Sequence, residues 1–597
     1  MFAANTSSYL DLNTTLVLLA GNHILDSQLL VSNVDEFLII LSTNSSVTAS
    51  ITCRSNAILK FINITHMHIG RLEFIRCNTR VENLEHFTLE DSSFQSNNDD
   101  GSALHLIETS TKIVRTSFSN SMGSYQNHVS FLKILRSRSL FEKQLTIQSY
   151  SARVGGALMI SSSKVVVSSS HFDGNAAQVG GAIFSELSSN VTISNCTLIN
   201  NSATGCSDDR CNGGALFIDS GCTVTAHNCT FINCYNTSEF SGGAITLFQG
   251  TYSDTQNVFS SNNGSNVGGV MMAYINSSIT VDNSSFNNNE AGTHGGVIYA
   301  SNNSMITVDN SSFNGSKAGT HGGVIGAYFS SNVTVVSSSF KNSEAGNFGG
   351  VMLAASSSHI TVDSSFFNNS ESHDDGGVLL AHSSSITVNN CSFNNSEAST
   401  EGGVMFAYSS SSFNVRNSLF INSKGGGHGG VMLASRLSDF TVDNSFFYNS
   451  KADKNGGVMY IKEGGSIIVD NSSFDNNEAG DQGGVMFAFY YSRIAVDSCS
   501  FDRNTAVNDG AVVYVRSDSK VTVDNSSFNN SEAGRNGGVL EAVSNSQISV
   551  NKSSFINSLA SYDGGVMYAI FYSNIIVSGS LFENSEAGDK GGSAACI

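Results

Sequence analysis

Glycine pairs return on a fixed beat through the second half of this chain. They open at Gly268, Gly295, Gly322, Gly349 and Gly376, each 27 residues after the last. One step of 26 leads to Gly402, and 27 resumes from Gly429 through Gly591. A phenylalanine keeps the same interval at Phe286, Phe313, Phe340, Phe367, Phe393, Phe420 and onward to Phe582. A period of this length requires stacked units that share one core, because a single unit cannot bury its own apolar face. The repeat therefore overrides the several domains that 597 residues otherwise suggest.

Within a unit the pattern is that of short strands. Ile279-Thr280-Val281-Asp282 and Ile306-Thr307-Val308-Asp309 alternate apolar and polar residues, the mark of a half-buried strand. Asn283, Asn310, Asn390, Asn417, Asn444, Asn471 and Asn525 follow such strands. Asparagine tolerates left-handed backbone and so suits a bend. The reading is all-β: a single-stranded solenoid with three short strands per coil of about 27 residues. Its structural repeat is marked by Gly295, Gly322, Phe286 and Phe313. With 40% hydrophobic residues the chain can fill a core despite its Ser/Asn/Gly-rich look. Proline is absent, as a chain of internal strands requires.

Gly180-Gly-Ala-Ile183, Gly242-Gly-Ala-Ile245 and Gly295-Gly-Val-Ile298 carry one motif; Phe172-Asp-Gly-Asn175, Phe286-Asn-Asn-Asn289 and Phe474-Asp-Asn-Asn477 carry another. From Gly155 onward these resemble the signature motifs of the polymorphic outer-membrane protein repeats. The resemblance implies a right-handed parallel β-helix of pectin-lyase-like type, often serving in adhesion at a cell surface. Many units depart from it by ending on Ser, as in Phe393-Asn-Asn-Ser396.

The chain divides by regularity. Residues 1–130 read as irregular N-terminal β capping coils, and 131–154, richer in Lys and Arg, as a loop or irregular coil. Residues 155–267 read as irregular coils with an insertion near 203–212, and 268–597 as regular repeats. The last unit opens at Gly591 and stops, so further chain is expected beyond Ile597.

The net charge of −20 argues against nucleic acid and against anionic membrane surfaces. No apolar run reaches the roughly 20 residues of a membrane-spanning helix. Dense Asn-x-Ser/Thr sites, such as Asn63, Asn190 and Asn276, suit a secreted or cell-surface glycoprotein. Cys53 and Cys77 lie one coil apart, within disulfide reach once stacked; Cys196 and Cys229 occupy equivalent positions, and Cys206 with Cys211 ties the insertion. Cys391 and Cys499 read as free and buried.

Two readings of function compete. A scaffold needs only regular columns. A carbohydrate-active enzyme on the same fold needs a groove with clustered carboxylates and a basic residue. The one strong break, Cys206-Ser-Asp-Asp-Arg-Cys211, reads as a tied surface loop rather than a site. His294, His321 and His428 share their column with Phe348, Asp375, Glu401, Asn455 and Lys590, so that column reads as exposed turn and not as a metal ladder. Asp282, Asp309, Asp363, Asp443, Asp470, Asp497 and Asp524 form an acidic column; Ca²⁺ is the lesser alternative to no cofactor. The third residue after the glycine pairs is mostly apolar or aromatic, as at Tyr299, Leu353, Phe406, Tyr460, Phe487, Tyr514 and Tyr568, though the column also admits Gly326 and Glu541. Alternation puts Ile298 and Ala300 inside and this column outside, so it is read as an exposed binding stripe. The expectation is a non-enzymatic extracellular structural or adhesive protein. Its partner is a carbohydrate or protein at a cell surface, or a second copy along its length; the alternative is a polysaccharide lyase or hydrolase.

Overall fold

The computed structural model describes residues 14–18, 21–25, 28–42, 49–54, 57–95, 103–121, 132–142, 146–204, 213–592 and 594–596. No helix occurs among them. The chain forms two compact units, Met1–Gly292 with Val297–Tyr299, and Thr293–Gly296 with Ala300–Ile597. In both, strand pairings are parallel and join each coil to its neighbours in the same unit.

One coil of the second unit shows the plan. Strands run over Met432–Ser435, Asp439–Asp443 and Phe446–Tyr448, with a short fourth at Lys451–Ala452. Left-handed backbone separates them, at Arg436 and Leu437 (φ 52° and 62°), Asn444 (46°), Asn449 (53°) and Gly456 (65°). The corner asparagines thus do what their chemistry suits them for. Each strand sits in register on the next coil: Met432 opposite Met459, Phe440 opposite Ile467, Phe447 opposite Phe474, Ala452 opposite Ala479.

The glycine pair is set by two different constraints. Gly349 has φ 62°, a conformation that excludes most side chains. Gly350 is required by stacking: a Cβ there would lie 2.2 Å from the carbonyl oxygen of Gly377 in the next coil. The pair therefore fixes both the corner and the inter-coil spacing.

The core is built from files of like residues. In the second unit Phe420, Phe447 and Phe474 are fully buried, with ring centroids 4.8 Å apart and planes within 3° of parallel. Phe231, Phe259 and Phe286 stack likewise in the first unit. Burial of each ring contributes roughly 1.5–3 kcal/mol. Serines form a second kind of file at a corner. The Ser418 amide donates to Ser445 Oγ (3.2 Å), the Ser445 amide to Ser472 Oγ (3.1 Å), and the Ser472 amide to Cys499 Sγ (3.4 Å). Each hydroxyl also donates to a carbonyl two residues back, as Ser418 Oγ does to Arg416 at 2.7 Å. Buried backbone donors that the corners leave unpaired are met this way. Cys391 and Cys499 take serine places in the file as free buried thiols.

In the first unit, residues 131–154 contain the strands Leu132–Leu135, Arg138–Glu142 and Thr146–Val154. They pair with the coils before and after, Leu104 opposite Leu132 and Leu132 opposite Leu158. Cys53 and Cys77 form a disulfide with Cα atoms 5.0 Å apart. Cys196 and Cys229 also stack, the Cys196 amide donating to Cys229 Sγ at 3.5 Å, but both remain thiols, which corrects their reading as a disulfide. Their neighbouring positions carry the same amide-to-sulfur contact that serine makes elsewhere, and this satisfies the corner without a covalent bond. Cys206 and Cys211, with the rest of 205–212, lie outside the described residues.

Candidate functional site

The column after the glycine pairs lies on the outer side of its strand, opposite Met405 and Ala407, but it is not exposed. Tyr299, Leu353, Phe406, Tyr460, Phe487, Tyr514 and Tyr568 are all between 3% and 9% exposed. The reading of an open stripe is overturned, and the reason is local. The turn that leads into a glycine pair can fold back over this face. His428 in that turn stacks on Tyr460 with centroids 4.4 Å apart. Tyr460, Phe487 and Tyr514 also shield one another, 5.0 Å apart along the file. They form a second apolar cluster outside the main core, flanked by Tyr328, Phe348, Tyr408 and Phe489.

The turn column is likewise not a freely exposed one. His294, His321, Phe348 and Asp375 form parallel bridges to one another in sequence, and Glu401 bridges to His428. The His294 and His321 rings lie 4.7 Å apart with their nitrogens 3.1 Å apart, and His321 stacks on Phe348 at 5.1 Å. Burial holds both imidazoles below the usual histidine range, His294 at about 4. They are neutral ladder members. Among the described residues no group of three or more His, Cys, Asp or Glu side chains is placed to hold a metal ion.

In the second unit the roof opens. A groove of about 490 Å³ has Leu353, Leu380 and Phe406 as its floor. One wall is the turn ladder, His321 to Glu401. The other is made by the last residues of the same strands, among them Tyr328, His382 and Tyr408. Ala355 in that second wall is small, and it leaves the space that tyrosine fills in other coils.

Charge is concentrated at one end. Lys462 Nζ donates to both carboxylate oxygens of Glu401, at 3.0 and 2.9 Å, across 61 residues of sequence. Arg436 lies 3.5 Å from Glu463 and 4.7 Å above the Tyr408 ring. Ser435 Oγ donates to Glu463 at 3.4 Å. Asp375 accepts from the Thr400 hydroxyl and from the Glu401 amide, the latter at 3.1 Å. Burial raises its carboxyl to about 6, and the charges of Asp374 and Glu401 push the same way. The site thus joins an apolar and aromatic floor to two ion pairs and one carboxylic acid that keeps its proton in mildly acidic solution.

Of the residues expected to bind, Leu353 and Phe406 line this groove. Tyr460, Phe487 and Tyr514 belong to the covered file. Asp375 and Glu401 stand in a turn column of mixed composition, and Arg436, Lys462 and Glu463 in corner columns of mixed composition, so none of them marks a site by repetition. Acidic and basic residues beside small Gly326 and Ala355 were the available signal.

The sequence matches the family described as right handed beta helix region over residues 74–263, 268–431 and 376–555. The chain belongs to the right-handed β-helix family. Two solved structures of the PL6 family alginate lyase AlyGC, one of them a mutant, are similar to this β-helix at 10% identity. They cover 98% of this chain and 97% of their own, with a TM-score of 0.26. No curated protein matches it. The family match assigns the chain its fold.

Proposed function

We propose that this β-helix is an extracellular carbohydrate-binding protein, and that the groove over Leu353, Leu380 and Phe406 receives a stretch of polysaccharide. One observation carries the reading: aromatic surface and hydrogen-bonding charged groups converge in this groove. Sugar rings present C–H faces that pack on aromatic side chains, and hydroxyl groups that carboxylates and guanidinium groups bind. The Cys53–Cys77 disulfide and the density of glycosylation sites support an oxidising, extracellular setting.

Hydrolysis is the second reading, favoured by Asp375. A buried acid that keeps its proton to about pH 6 is the kind of group that protonates a leaving glycosidic oxygen. Cleavage also needs a carboxylate free to activate water or attack the sugar. Both oxygens of Glu401 are engaged by Lys462, and Glu463 is engaged by Arg436 and Ser435. Binding without cleavage is therefore the reading we favour.

Affinity electrophoresis in gels containing soluble polysaccharides tests it. The native chain is expected to be retarded, with Tyr408→Ala and Arg436→Ala each lowering affinity about tenfold. Unchanged retardation in both variants removes the groove from the account. Accumulation of reducing ends, abolished in Asp375→Asn, replaces binding with hydrolysis.

A further inference from the structure

A second feature lies on the corner where the first strand of each coil turns into the next. Two successive residues there take left-handed backbone, and in several coils they are small and polar: Ser356 and Ser357, Ser409 and Ser410, Ser517 and Asp518, Ser544 and Asn545. Other coils place a bulky residue there, as at Phe329 or Arg436 and Leu437, and in two coils both residues are aromatic. Tyr490 and Tyr491 stand at φ 62° and 61°, and Phe571 and Tyr572 at 57° and 61°. Bulky side chains at positive φ are uncommon, because the backbone crowds them. Tyr490 and Tyr491 are more than half exposed although their coil is paired on both sides. Tyr490 meets Tyr491 edge-on at 5.4 Å and Phe489 at the same distance.

The two aromatic pairs are three coil steps apart, roughly 14 Å at the spacing of paired strands. Between them Ser517, Asp518, Ser544 and Asn545 floor an open groove of about 450 Å³. Asn545 donates its amide to the Asp518 carboxylate, which fixes the two groups in the floor. The result is a polar trough with an aromatic platform at each end.

We propose that this trough is a second carbohydrate site, which takes a neutral polysaccharide lying along the corner with sugar rings over Tyr491 and Tyr572. The aromatic faces match sugar C–H faces, and the hydroxyl, carboxylate and amide between them match sugar hydroxyls. Charge selects a neutral chain. Asp518 is the one charged group in the trough lining, and it repels an anionic chain. The net charge of −20 opposes a polyanion. The trough stands on its own groups and does not rest on the groove at Phe406. The two are close, since Gly464, next to Glu463, donates its amide to the Tyr490 carbonyl at 3.0 Å. A chain held in the groove can therefore continue onto the platforms, and two linked sites bind more tightly than either alone.

The test uses the full chain, with Tyr491→Ser and Tyr572→Ser made singly and together. Serine already occupies this corner in neighbouring coils, so the variants are expected to fold, as circular dichroism will check. Affinity electrophoresis uses four neutral probes, β-1,4-glucan, β-1,3-glucan, β-mannan and xylan, with polygalacturonate and heparin as polyanions. The expected result is retardation by at least one neutral probe, lowered about tenfold or more in the double variant and less in each single one. In Tyr408→Ala, part of that retardation persists. Equal retardation of native and double-variant chains overturns the corner site and leaves the groove standing. Retardation by polyanions alone, or by no probe, overturns it as well. So does sedimentation showing a native dimer that the double variant loses while glycan retention is unchanged.

Discussion

The second unit carries two apolar files, and they behave differently although both keep the 27-residue beat. The inner file, Phe313 through Phe582, is continuous, and neighbouring rings lie 4.6 to 5.1 Å apart along its whole length. The outer file changes from Leu353 and Leu380 through Phe406 to Tyr460, Phe487 and Tyr514, and depends on turns folded over it. A closed core forces every coil to contribute the same shape. An outer file that each coil covers for itself can change from coil to coil, and where the cover withdraws a site appears. Regular stacking builds the scaffold, and local departure from it opens the groove.

The sharpest way to break this comparison is to cut a ring from the inner file. Phe447→Ala leaves a void between two stacked neighbours that cannot collapse, and is expected to cost about 4 kcal/mol by thermal denaturation. A cost near zero would mean the inner file is not the core. The next effect lies in the outer file, where Glu541 is 3% exposed and its Oε2 has no hydrogen-bond partner among the described residues. Burial raises its carboxyl to about 9, with the Asp509 charge adding to the rise. The folded state therefore holds a proton that the unfolded chain releases above about pH 4.3. Stability falls as pH rises from there to about 9, and the loss is complete above that value. Glu541→Gln is expected to gain roughly 3 kcal/mol at pH 7 and little at pH 4. A gain that does not depend on pH would place the glutamate in water. The smallest effect is that of Phe487→Ala, about 2 kcal/mol, because the covering turn can settle into part of the void. A loss equal to that of Phe447→Ala would erase the distinction between the files.

Much of the inner architecture is legible from residues alone. Stacked phenylalanines, alternation as in Ile306–Asp309, and corner asparagines such as Asn310 and Asn471 each imply a local conformation that the coil adopts. The strand register was legible too, since Ile298 and Ala300 are fully buried as alternation requires. The outer cover was not. Alternation tells which side of a strand a residue takes, but whether a turn then folds over that side depends on contacts such as His428 on Tyr460, between coils. The groove was harder still, because a periodic sequence is compared with itself at one period. Glu401 and Lys462 pair across 61 residues, more than two coils, and no single-period comparison brings them together. The corner aromatics, by contrast, were visible as Tyr490-Tyr491 and Phe571-Tyr572, but their exposure at positive φ is a property of the coil.

The most direct test of the central claim, that the outer file is covered except where it forms the groove floor, is thiol labelling of the native protein. Cysteine is placed at Leu380 and Phe406 in the floor, and at Leu433 and Phe487 in the covered file, in a background with Cys206, Cys211 and Cys596 replaced by serine. Leu380→Cys and Phe406→Cys, only 4% and 7% exposed but lining the groove, are expected to react faster with a maleimide than Leu433→Cys and Phe487→Cys, which react only on unfolding. Equal rates at all four positions, fast or slow, would contradict the account.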